Sequence, residues 1–452
     1  MAEIVILGAG LTGLSVAYHL EKKGFFDYKL FEKESSVGGL CRSVSQDGFI
    51  FDYTGHLLHV NDAYLKQFIE SVVGFDQFNT IERRSAIYSQ NCYTEYPYQI
   101  NLHGLPAQTI IECIEGFIER PQIKKTQTFY SWVLKNFGVG FARHFFFPYQ
   151  QKIFDYDVKK LSSSWTGRFV PATSLNKILW GAFTPHRHEK IGYNSQFFYP
   201  RDGGIIRWVQ KIADMLINPI MTHHTVQAVD LKHKIIFFTN GHYEQYKQLI
   251  STIPLDNLLG MIKESTTTLY TARSHLRCAS VINFNIGINK PSVSDNHWIY
   301  YPEKKYPFYR IGFSHNFSSS MAPHNCSSLY GEFSITKKRA ILWETMINNS
   351  RAHAMKLFNF SHTDILTEKI IHIPHAYVIY NSWRDRNVPR ILQQLQEQSL
   401  FSIGRYGAWK YSSMQEAVLD GKTLVDQLII IPAQQTYDPL LYNQTTQTFL
   451  TT

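Results

Sequence analysis

The chain is poor in cysteine and carries no long apolar run, no compact basic tract and no repeated unit. Each absence removes a class of function. Its 452 residues include five cysteines, Cys41, Cys92, Cys113, Cys278 and Cys326, an odd number with neither CxxC nor metal-ligand spacing. That argues against a disulfide framework or a zinc site and for a reducing compartment. No apolar stretch approaches the roughly 18 residues that signal a membrane span. The first apolar run lacks a basic leader, so it reads as a strand and not as a signal peptide. A cytoplasmic protein without a membrane span is the expectation. Without a lysine–arginine cluster, nucleic-acid binding has no support. The formal net charge of +9 is mild at this length; it would attract acidic small molecules, and a solvated basic surface accounts for it equally well.

What is present suits a large enzyme of two or three globular units, with 44% hydrophobic residues, 27 Tyr and 31 Phe. The densest information lies in the first fifty-six residues. Ile4-Val5-Ile6-Leu7 suits a buried parallel strand and runs into Gly8-Ala9-Gly10-Leu11-Thr12-Gly13, followed by an apolar helical stretch. In such a turn Gly8 permits the bend, Gly10 lets a pyrophosphate approach the backbone, and Gly13 lets helix and strand pack closely. A second strand, Tyr28 to Phe31, ends at Glu32, nineteen residues beyond Gly13 and suited to an unphosphorylated ribose. A second glycine turn, Gly38-Gly39-Leu40-Cys41-Arg42, adds a cation, and Gly48 to His56 reads as a strand ending in a Gly55-His56 corner.

Further along, Ala63–Val73 reads as a helix, and apolar residues from Phe129 to Tyr149 recur near helical spacing. Gly203-Gly204 opens another helix. Thr225–Val229 and Lys234–Phe238 read as strands, as do Ser280–Ile286 and His297–Tyr301, before a last strand and glycine turn at Leu400–Gly407 and a helix from about Met414 to Leu428.

The N-terminal series resembles the flavin-binding half of the amine-oxidase and UDP-galactopyranose mutase superfamily. Gly55-His56-Leu57-Leu58-His59-Val60-Asn61-Asp62 is similar to a segment of bacterial UDP-galactopyranose mutases. Tyr96 to Asn101, Trp298 to Glu303, Pro307 to Arg310 and Gly404 to Tyr411 look like eukaryotic members, so the resemblance spans nearly the whole chain. It implies an α/β fold: a Rossmann-like FAD-binding domain with a helical insertion and an antiparallel β-sheet substrate domain. The expected division is 1–104 for the first part of the FAD-binding domain with the start of the substrate sheet, 105–190 for the helical insertion and 191–265 for the second FAD-binding part. Residues 266–395 would form the antiparallel substrate sheet, 396–432 the closing strand and helix, and 433–452 a tail.

The resemblance also implies FAD as cofactor and a nucleotide-sugar substrate, a UDP-sugar by family. It implies NAD(P)H or another reductant for the flavin, and it leaves room for an oligomer. The family interconverts pyranose and furanose forms, with N5 of reduced FAD as nucleophile at the anomeric carbon. Carried over position by position, the catalytic set is His56, Arg310 and Arg405, the two arginines falling on the diphosphate-binding positions. The cofactor set is Gly8, Gly10, Leu11, Thr12, Gly13, Glu32, Lys33, Gly39, Leu40, Arg42, His56, Val226, Gly404, Arg405 and Met414. Val226 reads equally well as a plain strand residue. The substrate set is Tyr96, Gln99, Gln150, Phe154, Asn194, Tyr300, Arg310, Tyr377, Arg405 and Tyr411. His59 is a weaker candidate than His56.

Four positions depart from the family pattern. Gln150 stands where eukaryotic members have asparagine, Phe154 where tryptophan is common and Gln415 where asparagine or aspartate is usual, and Arg168 is displaced by one from a loop arginine. They leave open which sugar is bound. Two other readings stay open: an FAD oxidoreductase of amine-oxidase or protoporphyrinogen-oxidase type, and a flavin-binding protein without catalysis.

Overall fold

The computed structural model describes residues 2–185, 195–263, 267–335 and 342–430. Asn194 and the expected tail at 433–452 lie outside the described residues. Strand Ala2–Leu7 is apolar apart from Glu3 because it runs through the centre of a sheet, parallel to Tyr28–Phe31 on one side and to Tyr243–Ser251 on the other. Ile220–Met221 extends the sheet in parallel beyond Tyr28–Phe31. Strand Tyr243–Ser251 has two neighbours along its outer edge. Its first residues pair antiparallel with Ile235–Phe238, which pairs in turn with Val226–Asp230, while Leu249 to Ser251 pair in parallel with Leu400–Ser402.

Helix Leu11–Lys22 follows the first strand and packs on the last helix, Met414–Ile430; Ser15 Oγ donates to the Val418 carbonyl at 2.7 Å. Residues four hundred apart in sequence thereby form one layer. Buried Asp52 ties the early segment to the returning one. Its carboxylate accepts hydrogen bonds from Ser43 Oγ at 2.6 Å, Tyr199 Oη at 2.5 Å and the Ile205 N–H at 3.3 Å. Burial, partly offset by these donors, pushes its pKa up to about 6.

A second seven-stranded sheet has Ile365–Val378 at one edge, then Cys278–Ile288, Ser327–Ile335, Arg310–Gly312, Trp298–Tyr300, Ser85–Ser89 and Cys92–Glu95. The antiparallel expectation needs one correction, because Trp298–Tyr300 runs parallel to Ser85–Ser89. Those strands are separated by some two hundred residues and not by a hairpin, so no tight turn imposes the antiparallel sense. Helices Ala107–Ile118, Phe129–Phe141, Phe147–Phe154 and Leu175–Phe183 lie between the two halves in sequence, with a π-turn at Ala142–Phe146. They bury Phe129, Val133, Phe137, Phe141 and Phe145 in the largest apolar cluster, which also takes in the first helix, Tyr300 and Tyr309.

Candidate active site

The cradle is built from backbone. A Cβ on Gly13 would stand 1.9 Å from the Gly8 carbonyl oxygen, so only glycine lets this helix leave this strand. The two glycine turns are bonded together, Gly38 N–H donating to Ala9 O at 2.9 Å, and a Cβ on Gly39 would come 3.2 Å from Gly10 Cα. Gly10 caps helix Leu11–Lys22 without any side-chain hydrogen bond, so the first-turn N–H groups beside buried Leu11 and Thr12 remain for an anion. Buried Glu32 accepts from Ala9 N–H at 2.7 Å and from Glu34 N–H at 3.0 Å. A carboxylate offers about four acceptor positions, so ribose hydroxyls can add to these. This donor and acceptor set fits the pyrophosphate and ribose of FAD.

The other expected cofactor residues surround it unevenly. Arg42 Nε donates to Gly39 O at 2.9 Å, and the guanidinium lies 4.9 Å from the Tyr53 ring centroid. Leu40 packs into a small apolar cluster with Tyr53, Val281 and Tyr377, joining the second glycine turn to the second seven-stranded sheet. Val226 is buried at the head of its strand. Lys33 points outward to Glu34 at 3.2 Å with 67% of its side chain exposed. Gly404 presses on the first helix, where an added Cβ would meet Thr12 Oγ1 at 2.8 Å. Met414 is buried at the start of the last helix.

The opposing wall is built from side chains. Arg310 Nη2 donates to both oxygens of fully buried Glu332 at 2.7 and 2.8 Å, the two residues being direct partners across adjacent strands. Its Nε is buried without a protein partner. Arg405 is held by carbonyls, Nη2 donating to Ala376 O at 3.0 Å and Nη1 to Ser412 O. Its guanidinium lies 4.8 Å from the Tyr411 centroid, 5.6 Å from Tyr406 and 5.9 Å from Tyr377. Among the described residues no carboxylate bridges to Arg405, so its charge is met within the protein by carbonyl oxygens and tyrosine rings. His56, whose Nδ1 lies 3.3 Å from Thr54 Oγ1, is near both cations. Burial, then the charges of Arg405 and Arg310, push its pKa down to about 4, leaving a neutral imidazole at neutral pH.

Tyrosines complete the wall. Tyr96 faces Tyr300 at 5.2 Å, Tyr149 meets Tyr300 at 5.4 Å and Tyr309 at 6.4 Å, Tyr309 meets Tyr377 at 6.3 Å, and Tyr377 lies near-parallel to Tyr411 at 6.4 Å. Phe154 is buried behind Tyr377, edge-on to it and to Trp165. Gln150 is half-buried on the helix that carries Tyr149. Buried Gln99 donates its amide to Pro171 O at 2.8 Å, so its side chain is engaged in holding the 171–173 loop. His59 Nδ1 lies 3.2 Å from Gln196 O, away from the arginine pair. Gln415 accepts from the N–H groups of Asn61 at 2.8 Å and Asp62 at 3.1 Å, joining the last helix to the segment after His56.

Sequence reading missed Tyr149, Tyr309, Glu332 and Arg83, whose guanidinium lies 4.8 Å over the Tyr96 ring. Tyr149 and Tyr309 adjoin positions already singled out, so a neighbour rule would have found them. Glu332 has no local signal; only the strand register places it opposite Arg310.

Comparison with known proteins follows this division. A family model described as an NAD(P)-binding Rossmann-like domain matches residues 6–72. A 4,4'-diapophytoene desaturase of Staphylococcus aureus (strain COL) is 30% identical over 115 residues, 25% of this chain. That match spans about a fifth, 22%, of the desaturase's length. A crystal structure of reduced UDP-galactopyranose mutase superposes with a TM-score of 0.89 over 96% of this chain and 97% of that one, at 26% identity. The chain shares its fold with UDP-galactopyranose mutase over nearly its whole length. FAD is its cofactor, and it is an enzyme of the FAD-dependent oxidoreductase superfamily. Two more distant structures share the fold: putrescine oxidase bound to putrescine (TM-score 0.66, 15% identity, 95% of this chain and 99% of that one) and a fatty acid isomerase from P. acnes (TM-score 0.65, 12% identity, 95% and 99%). Oxidase and isomerase on one fold leave the reaction to be argued from the side-chain wall, not from the cradle. No helix among the described residues is long and apolar enough to cross a membrane.

Proposed function

We propose that the protein is a flavin-dependent nucleotide-sugar mutase, interconverting pyranose and furanose forms of a UDP-sugar. One observation carries the reading: Arg310 and Arg405 stand around the same neutral His56 and the same Tyr377 ring, with a wall of tyrosines between them. A diphosphate carries charge that two planar guanidinium forks match, whereas a hydride-donating amine would be repelled by them. Reduced FAD, when bound, supplies a nucleophilic N5. The protein's part is to hold and orient.

Arg405, fixed by two carbonyls, meets one phosphate, and Arg310, fixed by Glu332, meets the other. Glu332 keeps the Arg310 fork in plane and lowers the net charge there, so the leaving diphosphate is held but not trapped. The hydroxyls of Tyr300, Tyr377 and Tyr411 donate to phosphate and sugar oxygens. His56 stays neutral and accepts or donates one hydrogen bond beside the ring without adding charge. The buried rings of Phe154 and Tyr309, with half-buried Trp165 beside Phe154, keep water from the anomeric centre. We read segments 1–104, 191–265 and 396–432 as holding cofactor and 266–395 as holding substrate, with 105–190 closing over both. NAD(P)H or another reductant, cytoplasmic residence and an oligomeric state belong to the same proposal.

The deciding assay incubates dithionite-reduced, FAD-loaded protein with UDP-galactopyranose under anaerobic conditions and separates the products. Furanose product with no net flavin oxidation is the expected outcome. No isomerisation together with substrate-linked flavin reduction by an amine or porphyrinogen would replace the mutase by an oxidoreductase. Neither reaction, with UDP still bound, would leave a binding protein.

A further inference from the structure

Resting on that reading, we infer that Lys152 is a positioning residue for the diphosphate-binding wall, its ammonium riveting the loop between Tyr300 and Arg310 to the helix that carries Tyr149. Lys152 lies three residues after Tyr149 on helix Phe147–Phe154, so both side chains leave the same face. Tyr149 turns to the Tyr300 and Tyr309 rings. Lys152 reaches the backbone beyond them, donating to Tyr301 O at 2.6 Å, Glu303 O at 3.1 Å and Phe308 O at 2.5 Å. An ammonium has three donors and no acceptor, so the three carbonyls complete it.

These acceptors come from both arms of the loop. Tyr301 directly follows Tyr300, and Phe308 stands two residues before Arg310. The arms are otherwise joined at their base by Tyr301 N–H donating to Tyr309 O at 2.9 Å, and Tyr309 N–H donates to Glu332 O at 2.9 Å. One cation thus sets the spacing of the two ends that present Tyr300 and Arg310. Lys152 also sits in the last turn of its helix, where the dipole favours a positive charge.

A purely structural cation at this depth would be costly compared with an apolar residue. Burial lowers the Lys152 pKa to about 7, with Glu303 opposing. Methionine would fill the same space without that cost. What it cannot do is gather three carbonyls from two chain arms.

The test uses FAD-loaded Lys152→Met, Lys152→Gln and Lys152→Arg, read by hydrogen exchange, UDP titration and steady-state isomerisation. In Lys152→Met, exchange across 301–310 should quicken at least about tenfold while the glycine turn at 8–13 is unchanged. UDP affinity should fall about tenfold, KM should rise more than kcat falls, and Lys152→Arg should recover most of the loss. Unchanged exchange at 301–310 with unchanged UDP affinity in Lys152→Met or Lys152→Gln overturns the inference. So does failure of all three variants to retain FAD, which would assign Lys152 to general stability. If the wild-type protein binds UDP without isomerising sugar, the mutase reading fails, and the exchange and titration arms still decide Lys152.

Discussion

Two regions of this molecule solve the problem of holding a ligand in opposite ways. The cradle at residues 4–42 works through backbone: glycines that admit no Cβ, an uncapped helix start and one carboxylate two strands into the sheet. The wall works through side chains brought from Tyr96, Tyr149, Tyr300, Arg310, Tyr377 and Arg405, most from separate elements. A backbone site must be written contiguously, because its geometry is local. A side-chain site can be gathered from anywhere the topology reaches.

That contrast breaks most visibly at Gly13. Gly13→Val drives a side chain into the Gly8 carbonyl, and the expected result is protein that retains no FAD, seen as loss of flavin absorbance after gel filtration. Retained flavin would mean that the turn is less constrained than its packing indicates. Arg405→Ala should do the reverse, keeping FAD while kcat/KM falls about 100-fold or more through lost charge-assisted phosphate bonds. Arg310→Ala should behave alike, and full activity in both variants would remove the diphosphate assignment. Glu332→Gln strands a buried guanidinium beside a neutral amide, so a loss of about 3 kcal/mol in denaturant unfolding is expected, with weaker UDP binding.

Acid sharpens the comparison from another side. Burial, with smaller contributions from neighbouring charges and hydrogen bonds, pushes the pKa values of His19 in the first helix, His56 at the corner and His297 under the wall down to about 4 from an ordinary 6.5. The unfolded chain then binds more protons over that interval, so stability is full above about pH 6.5 and falls as pH drops towards 4. Asp52, raised to about 6, acts with the opposite sign and regains stability as it protonates. Thermal unfolding followed between these pH values should show a net decline that shrinks in His19→Gln. The smallest expected effect is that of Gln415→Ala, which removes the side-chain acceptor for the backbone N–H groups of Asn61 and Asp62 and should cost about 1 kcal/mol while turnover is nearly kept.

The dinucleotide cradle was legible in the sequence because it rests on spacing within about fifty residues, whereas the fold class as a whole was legible through the family resemblance. Arg310 and Arg405 were legible only by family resemblance, since nothing in a Tyr-Arg or Gly-Arg step reveals what lies opposite. Glu332, Arg83 and Lys152 were not legible at all. Their partners are fixed by strand register, a ring stack and a loop reach, none of which leaves a periodic trace. Gln415 illustrates the converse: as a letter it marked a departure, while in space it is a clasp on a neighbouring turn. The parallel junction of Trp298–Tyr300 with Ser85–Ser89 escaped for the same reason, because strand direction across a long excursion is decided by the excursion.

The strand Leu400–Ser402 and the helix behind it finish a sheet whose first strand begins at Ala2. During synthesis, therefore, the dinucleotide turn at 8–13 waits for a segment some four hundred residues further on before Gly404 closes on Thr12. A nascent chain halted short of that point would have the entire glycine motif and is expected to hold no flavin. Bound flavin in this protein is thus expected to report on synthesis carried past Gly404 as much as on an intact motif.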